Sequence, residues 1–388
     1  MPLFDQDAES IGVRPRNYLE PTFDYYNRTA RKDIRKIKEV LESWFASYPE
    51  SGRSDLRARF RSRIESQHQA AFTELWVHEI LRQLECEVQV HPDIGSNTHP
   101  DFLVTPKGGK PFLVEVTTTH DSEEEVAAQR RIDQVYDTLN RLKSPDFFLA
   151  IIDKGSPVTP VPGARLRGDL ELWLKGLSWE EAKKAWDQGG FDAVPTYDWK
   201  YENWNVAFQV IPKSEETRGS ERVRPIGLTM PLEINLLDTD SEIKRAVELK
   251  DRYGEPKLPM ILVLGVLGDF CDRFDVMNAL FGRETVLFGP GGSRPGGRLH
   301  DGAWDGPKGP HHKAISAVWV LHALQTWSAH NPQFWLIHNP WGTYPLSGDV
   351  LPFTQYVANL ETGNLEEKAG CSIAGVLRLP DPWPPNED

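Results

Sequence analysis

Two carboxylates define the chemistry this chain could carry. Pro100-Asp101 opens one short apolar run, and Glu115 lies inside the next, Pro111-Phe-Leu-Val-Glu-Val-Thr-Thr118. The intervening Lys107-Gly108-Gly109-Lys110 has the composition of a hairpin turn. A hairpin folded about residue 108 sets residues 101 and 115 level with each other on neighbouring strands. Two carboxylates so placed can share Mg²⁺ or Mn²⁺, hard cations that take oxygen ligands, with the Val116 carbonyl as a natural addition to the shell. An acid inside Phe-Leu-Val-Glu-Val is costly to bury without a cation or hydrogen bonds. The alternative is an edge-strand acid that faces water or an arginine. A second Pro-Asp pair, Pro92-Asp93, precedes no strand at hairpin distance from Glu115 and is set aside.

The elements that must position this pair can be read from periodicity. Residues 28–46 have a helical pattern, broken over Ser47–Ser54, and a longer helix is expected over about 55–84, where Phe72, Leu75, Trp76, Ile80 and Leu84 recur at helical spacing. Strands are expected at 86–90, 102–105 and 112–117, a helix at 123–143 and a fully apolar strand at 147–152. The order is helix, three strands, helix, strand. Beyond Gly155 the α/β pattern continues. Strands are expected near 206–211, 226–230, 261–266, 286–288, 315–321 and 334–338, and helices near 170–174, 179–186, 241–252 and 273–281. Gly289–Lys313 holds eight glycines and four prolines and is expected to be one long loop. Pro380–Asp388 has the composition of a tail without core-forming residues. The expected division is a helical, basic N-terminal extension (1–65), an α/β core (66–155) and a C-terminal α/β region (156–388).

Composition narrows the function classes. The chain has 388 residues, enough for one large or two modest domains. Its mean hydropathy of -0.48 and its short apolar runs exclude a helical membrane span, and the acidic N-terminus lacks the order of a secretory signal. Cys86, Cys271 and Cys371 are too scattered for a disulfide framework or a zinc cluster, so a reducing cytoplasm is expected. A net charge of -13 argues against a surface that coats nucleic acid as a whole. Positive charge is concentrated in one place: residues 28–63 hold eleven basic against five acidic side chains. That segment reads either as solvated, salt-bridged helices or as a polyanion-facing arm centred on Arg57, Arg59, Arg61 and Arg63. Gly289–Gly297 lacks the Lys-Ser/Thr of a phosphate loop, and His300, His311 and His312 have poor metal-ligand spacing.

The block from about 66 to 153 resembles the PD-(D/E)XK nuclease superfamily, the restriction-endonuclease-like fold. Its core order is αβββαβ, and its signature is Pro-Asp on one strand followed by Glu-X-Lys on the next, matched here by Pro100-Asp101 and Glu115-Val116. The resemblance implies Asp101 and Glu115 as Mg²⁺ or Mn²⁺ ligands, with the Val116 carbonyl and an auxiliary Glu74 from the preceding helix. It implies DNA as partner, with phosphodiester hydrolysis by a metal-activated water. One position departs from the pattern, because Thr117 stands where the family has its lysine. Threonine can hydrogen-bond a water but brings no positive charge. Lys107 or Lys110 on the turn, or Arg130 and Arg131 on the following helix, are candidates to supply it, guanidinium being a bidentate phosphate ligand. The competing reading is a catalytically silent nuclease-like module that binds nucleic acid or a protein partner; a second copy of the chain is a further expected partner under either reading.

Overall fold

The computed structural model describes residues 1–5, 12–95, 99–119, 123–153, 157–219, 224–231, 239–250, 257–268, 271–289, 292–348, 350–359 and 364–385. Parts of the expected elements therefore lie outside the described residues: 96–98 of the link before Asp101, 251–252 of a helix end, 290–291 of the glycine-rich stretch and 386–388 of the tail. The chain forms an α/β protein of two compact units. The first comprises 1–14, 21–120 and 237–388, and the second comprises 15–20 and 121–236. The contacts thus do not follow the expected division at 65 and 155. Most of the second unit is instead an insertion between the strand that carries Glu115 and the Thr239–Lys250 helix.

The first unit is built on an eight-stranded mixed sheet. In spatial order its strands are Glu87–Val90, Phe102–Thr105, Phe112–Thr118, Met260–Val266, Ala317–His322, Gln333–His338, Gln355–Asn359 and Asn364–Lys368. The first three are antiparallel, and Phe112–Thr118, Met260–Val266 and Ala317–His322 run parallel. Side chains alternate between two cores, as the pleat requires. Ile261, Val263, Ala317, Trp319 and Leu321 enter one core with the N-terminal helices. Met260, Leu262, Leu264, Val318 and Val320 enter the other, with the Thr239–Lys250 and Arg273–Phe281 helices. Both faces are covered, and the Met260–Val266 strand is buried at every residue.

Four helices lead into the sheet: Thr22–Arg28, Lys32–Ser47, Glu50–Phe60 and Glu65–Gln83. The Lys32–Ser47 helix buries Ile34, Ile37, Leu41, Trp44 and Phe45, an apolar stripe along one side. The single helix expected over 55–84 is two, broken at Arg61–Ile64. Ile64 is extended and bonds its N–H to the Ser62 hydroxyl, a local alternative to the helical bond. The expected long loop 289–313 also contains ordered structure: Gly292–Arg298 pairs antiparallel with Glu284–Gly289. The proline-rich tail is anchored by Trp383, which is buried and donates its indole N–H to the Thr326 carbonyl at 2.9 Å.

The second unit has its own core. A four-stranded sheet places Phe147–Asp153 between Trp204–Pro212 and Ile226–Pro231, with Thr196–Tyr201 at the edge. The Gly163–Lys175 helix contributes Leu166, Leu170 and Leu174, and the Glu123–Leu139 helix contributes Val135 and Leu139. The helix and apolar strand expected to complete the core around Glu115 therefore belong to this unit. Their place in the first sheet is taken by Thr239–Lys250 and Met260–Val266.

Candidate functional site

The hairpin register fixes the two carboxylates. Phe102 pairs with Val114, Leu103 with Leu113 and Val104 with Phe112, so Asp101 adjoins Glu115 one step beyond the last pair. Phe102, Val104, Phe112 and Val114 enter the core with the N-terminal helices, while Leu103 and Leu113 enter the opposite one. The two-residue period puts Glu115 on the second face, and Asp101, immediately before its strand, feels the charges of both Glu115 and Glu74. Asp101 Oδ2 accepts the Val116 N–H at 2.7 Å. Leu113 and Thr119 instead direct their N–H groups to the Met260–Val266 side, so the Val116 peptide groups point toward Asp101. This is the geometry in which the Val116 carbonyl could join both carboxylates around a cation. Burial raises the Asp101 pKa well above the ordinary carboxylate range, with Glu115 and then Glu74 adding to the effect. Nearby negative charge makes each successive ionisation harder, a cost that a bound cation relieves.

Glu74 has a different setting. It lies on the Glu65–Gln83 helix, whose buried side chains belong to the opposite core. Its Oε1 accepts the Tyr48 hydroxyl at 2.5 Å, and its Oε2 pairs with the Arg59 guanidinium at 2.7 Å. Both oxygens are thus engaged, by Tyr48 and Arg59, while the Glu74 charge still acts on Asp101. Burial, followed by the Glu74 charge, raises the Tyr48 pKa and keeps its hydroxyl protonated. Tyr48 packs against the His78 ring at 4.7 Å between centroids and against Phe102 at 6.5 Å, so this cluster buttresses the residue next to Asp101. Burial lowers the His78 pKa to about 4, and its Nδ1 has no hydrogen-bond partner among the described residues.

Several of the basic residues expected around the site have other partners. Lys107 and Lys110 are exposed on the turn at the far end of the hairpin, beyond Thr105, which is itself roughly 13 Å from Asp101 at about 3.3 Å per strand residue. Lys107 pairs there with Glu85. Arg130 and Arg131 belong to the second unit, where Arg131 donates to the Pro157 carbonyl at 2.6 Å. Arg57 donates to the Pro2 carbonyl, Arg61 binds Asp5 and the Leu3 carbonyl, and Arg59 bridges Asp55 and Glu74. Arg63 is 80% exposed and pairs with Asp24. The arginine-rich segment therefore ties the N-terminal residues and Glu74 into the helical layer. Thr117 has the parity of Glu115 and is half-buried.

The cation that sequence reading missed is Lys250. It is the last residue of the Thr239–Lys250 helix, and its ammonium lies 2.6 Å from Glu115 Oε1, with side chains 27% and 5% exposed. The two residues are 135 positions apart. No motif spacing links them. Among the described residues no group of three or more His, Cys, Asp and Glu side chains could hold a metal. No described helix is long and apolar enough to cross a membrane. No protein-family model matches the chain, and no curated protein or solved structure matches it significantly.

Proposed function

We propose that the first unit is a metal-dependent nuclease of PD-(D/E)XK type that hydrolyses DNA phosphodiester bonds. The observation that carries this reading is the closeness of Asp101 and Glu115 at the open end of a hairpin, where Asp101 accepts the Val116 N–H and feels the Glu115 charge. The order of elements supports it once the insertion is set aside. The Glu65–Gln83 helix leads to three antiparallel strands, the Thr239–Lys250 helix and then Met260–Val266, parallel to the strand of Glu115. Asp101 and Glu115 would hold Mg²⁺ or Mn²⁺ together with the Val116 carbonyl. When bound, the cation supplies Lewis acidity toward a phosphoryl oxygen and lowers the pKa of a ligated water. Thr117 lies on the same face as Glu115, where its hydroxyl can orient a water. Glu74, held by Tyr48 and Arg59, fixes the layer on which Phe102 and Asp101 rest.

Linear and circular DNA incubated with Mg²⁺ or Mn²⁺ should be cleaved, and EDTA should stop the reaction. Asp101→Asn and Glu115→Gln should each abolish cleavage while leaving the circular dichroism spectrum unchanged, because each removes a ligand and little core volume. Full activity in either variant would eliminate the two-carboxylate mechanism. One observation favours a second reading, a silent nuclease-like module: the Lys250 ammonium pairs with Glu115 in the position a cation would favour.

A further inference from the structure

Lys250 bears on both readings, because a buried carboxylate needs a positive partner and this ammonium is the one 2.6 Å away. Glu115 is held in the centre of an apolar strand, between Val114 and Val116 and opposite Leu262. Lys250 sits at the end of its helix and is 27% exposed, so its flexible stem can carry the ammonium away from Glu115 without unpacking the core. Ile243, Ala246 and Val247, the residues that seat the helix, are independent of that movement. Thr117, two residues beyond Glu115 on the same face, provides no charge of its own.

We propose that Lys250 is an exchangeable counter-ion. Its ammonium neutralises Glu115 in the metal-free protein, and a divalent cation displaces it toward the phosphate side of the site. This inference rests on the metal-site reading above. It assigns to a residue beyond the insertion the positive charge absent at position 117, and it makes metal binding a competition with an internal cation.

The test compares wild type with Lys250→Met and Lys250→Arg, following thermal unfolding in EDTA and in saturating Mn²⁺ and measuring Mn²⁺ affinity by titration calorimetry. Lys250→Met should unfold a few degrees lower than wild type in EDTA, because a buried carboxylate loses this ion pair. Mn²⁺ should remove that deficit, and Mn²⁺ affinity should rise severalfold because this ammonium no longer competes. Lys250→Arg should keep its melting temperature in EDTA and bind Mn²⁺ more weakly, since a guanidinium can hold a carboxylate through two bonds. Should Lys250→Met fail to fold, the arginine variant alone decides the matter. A deficit equal in EDTA and Mn²⁺, or Mn²⁺ affinity unchanged from wild type in the folded variants, would overturn the exchange and leave an ordinary structural ion pair. A wild-type protein that gives neither binding heat nor a Mn²⁺-induced rise in melting temperature would instead remove the metal site itself, and the exchange with it.

Discussion

His78 shows how the surroundings of a single residue become a property of the protein. Its ring lies between Tyr48 and Phe102, and burial holds its pKa near 4, below the roughly 6.5 of an exposed imidazole. The unfolded chain therefore takes up this proton at a higher pH than the folded chain does. Stability contributed by neutral His78 is fully present above about pH 6.5 and is lost as the pH falls toward 4, a change of order 3 kcal/mol. His78→Phe should flatten that acid limb in urea unfolding measured from pH 7 to pH 4. An unchanged limb would mean that other groups produce it. The pair Asp101 and Glu115 was legible at this scale, because a turn composition and two apolar runs suffice to define a hairpin register. Lys250 was not, since a contact between residues 135 positions apart leaves no local spacing to read.

At the scale of elements, the arginines of Glu50–Phe60 and the following turn hold the N-terminal residues in place. Leu3 and Phe4 are buried, their N–H groups bond the Glu42 carboxylate, and Arg57 and Arg61 bond the Pro2 and Leu3 carbonyls. Charge density alone could not separate this use from a polyanion-binding arm, because both require the same residue types. Arg57→Ser with Arg61→Ser should lower the melting temperature by a few degrees while leaving the salt dependence of DNA binding unchanged. A shallower salt slope at an unchanged melting temperature would restore the arm as a DNA contact. Other element-level differences have equally local causes. Ser62 marks a helix start that the apolar spacing on either side conceals. Gly292–Arg298 forms a strand despite its glycines because its partner, Glu284–Gly289, supplies the ladder.

For the whole molecule, the separate apolar clusters imply that each unit can respond to change by itself. The second unit borrows a segment from far upstream: the Tyr18 and Leu19 N–H groups donate to the Asp137 carboxylate at 2.8 and 3.0 Å, and the Tyr18 ring packs on Tyr136. Asp137→Ala should destabilise this unit by about 2–3 kcal/mol, since charge-assisted bonds to a buried carboxylate are lost. Hydrogen exchange should show the loss of protection in 15–20 and 121–236 and not in the eight-stranded sheet. Uniform loss across both units would mean that they unfold as one.

The position of the insertion also sets an order of events during synthesis. The strand of Glu115 leaves the ribosome before the second unit, whereas Met260–Val266 and Ala317–His322, the middle of the first sheet, leave after it. At about 5–20 residues per second, the interval between Glu115 and Lys250 lasts on the order of 7–27 s. A hairpin cannot by itself bury its apolar faces for so long, whereas the four-stranded sheet of the insertion is complete once Pro231 has emerged. Nascent chains should therefore gain a folded second unit while the acidic pair still waits for its neighbours.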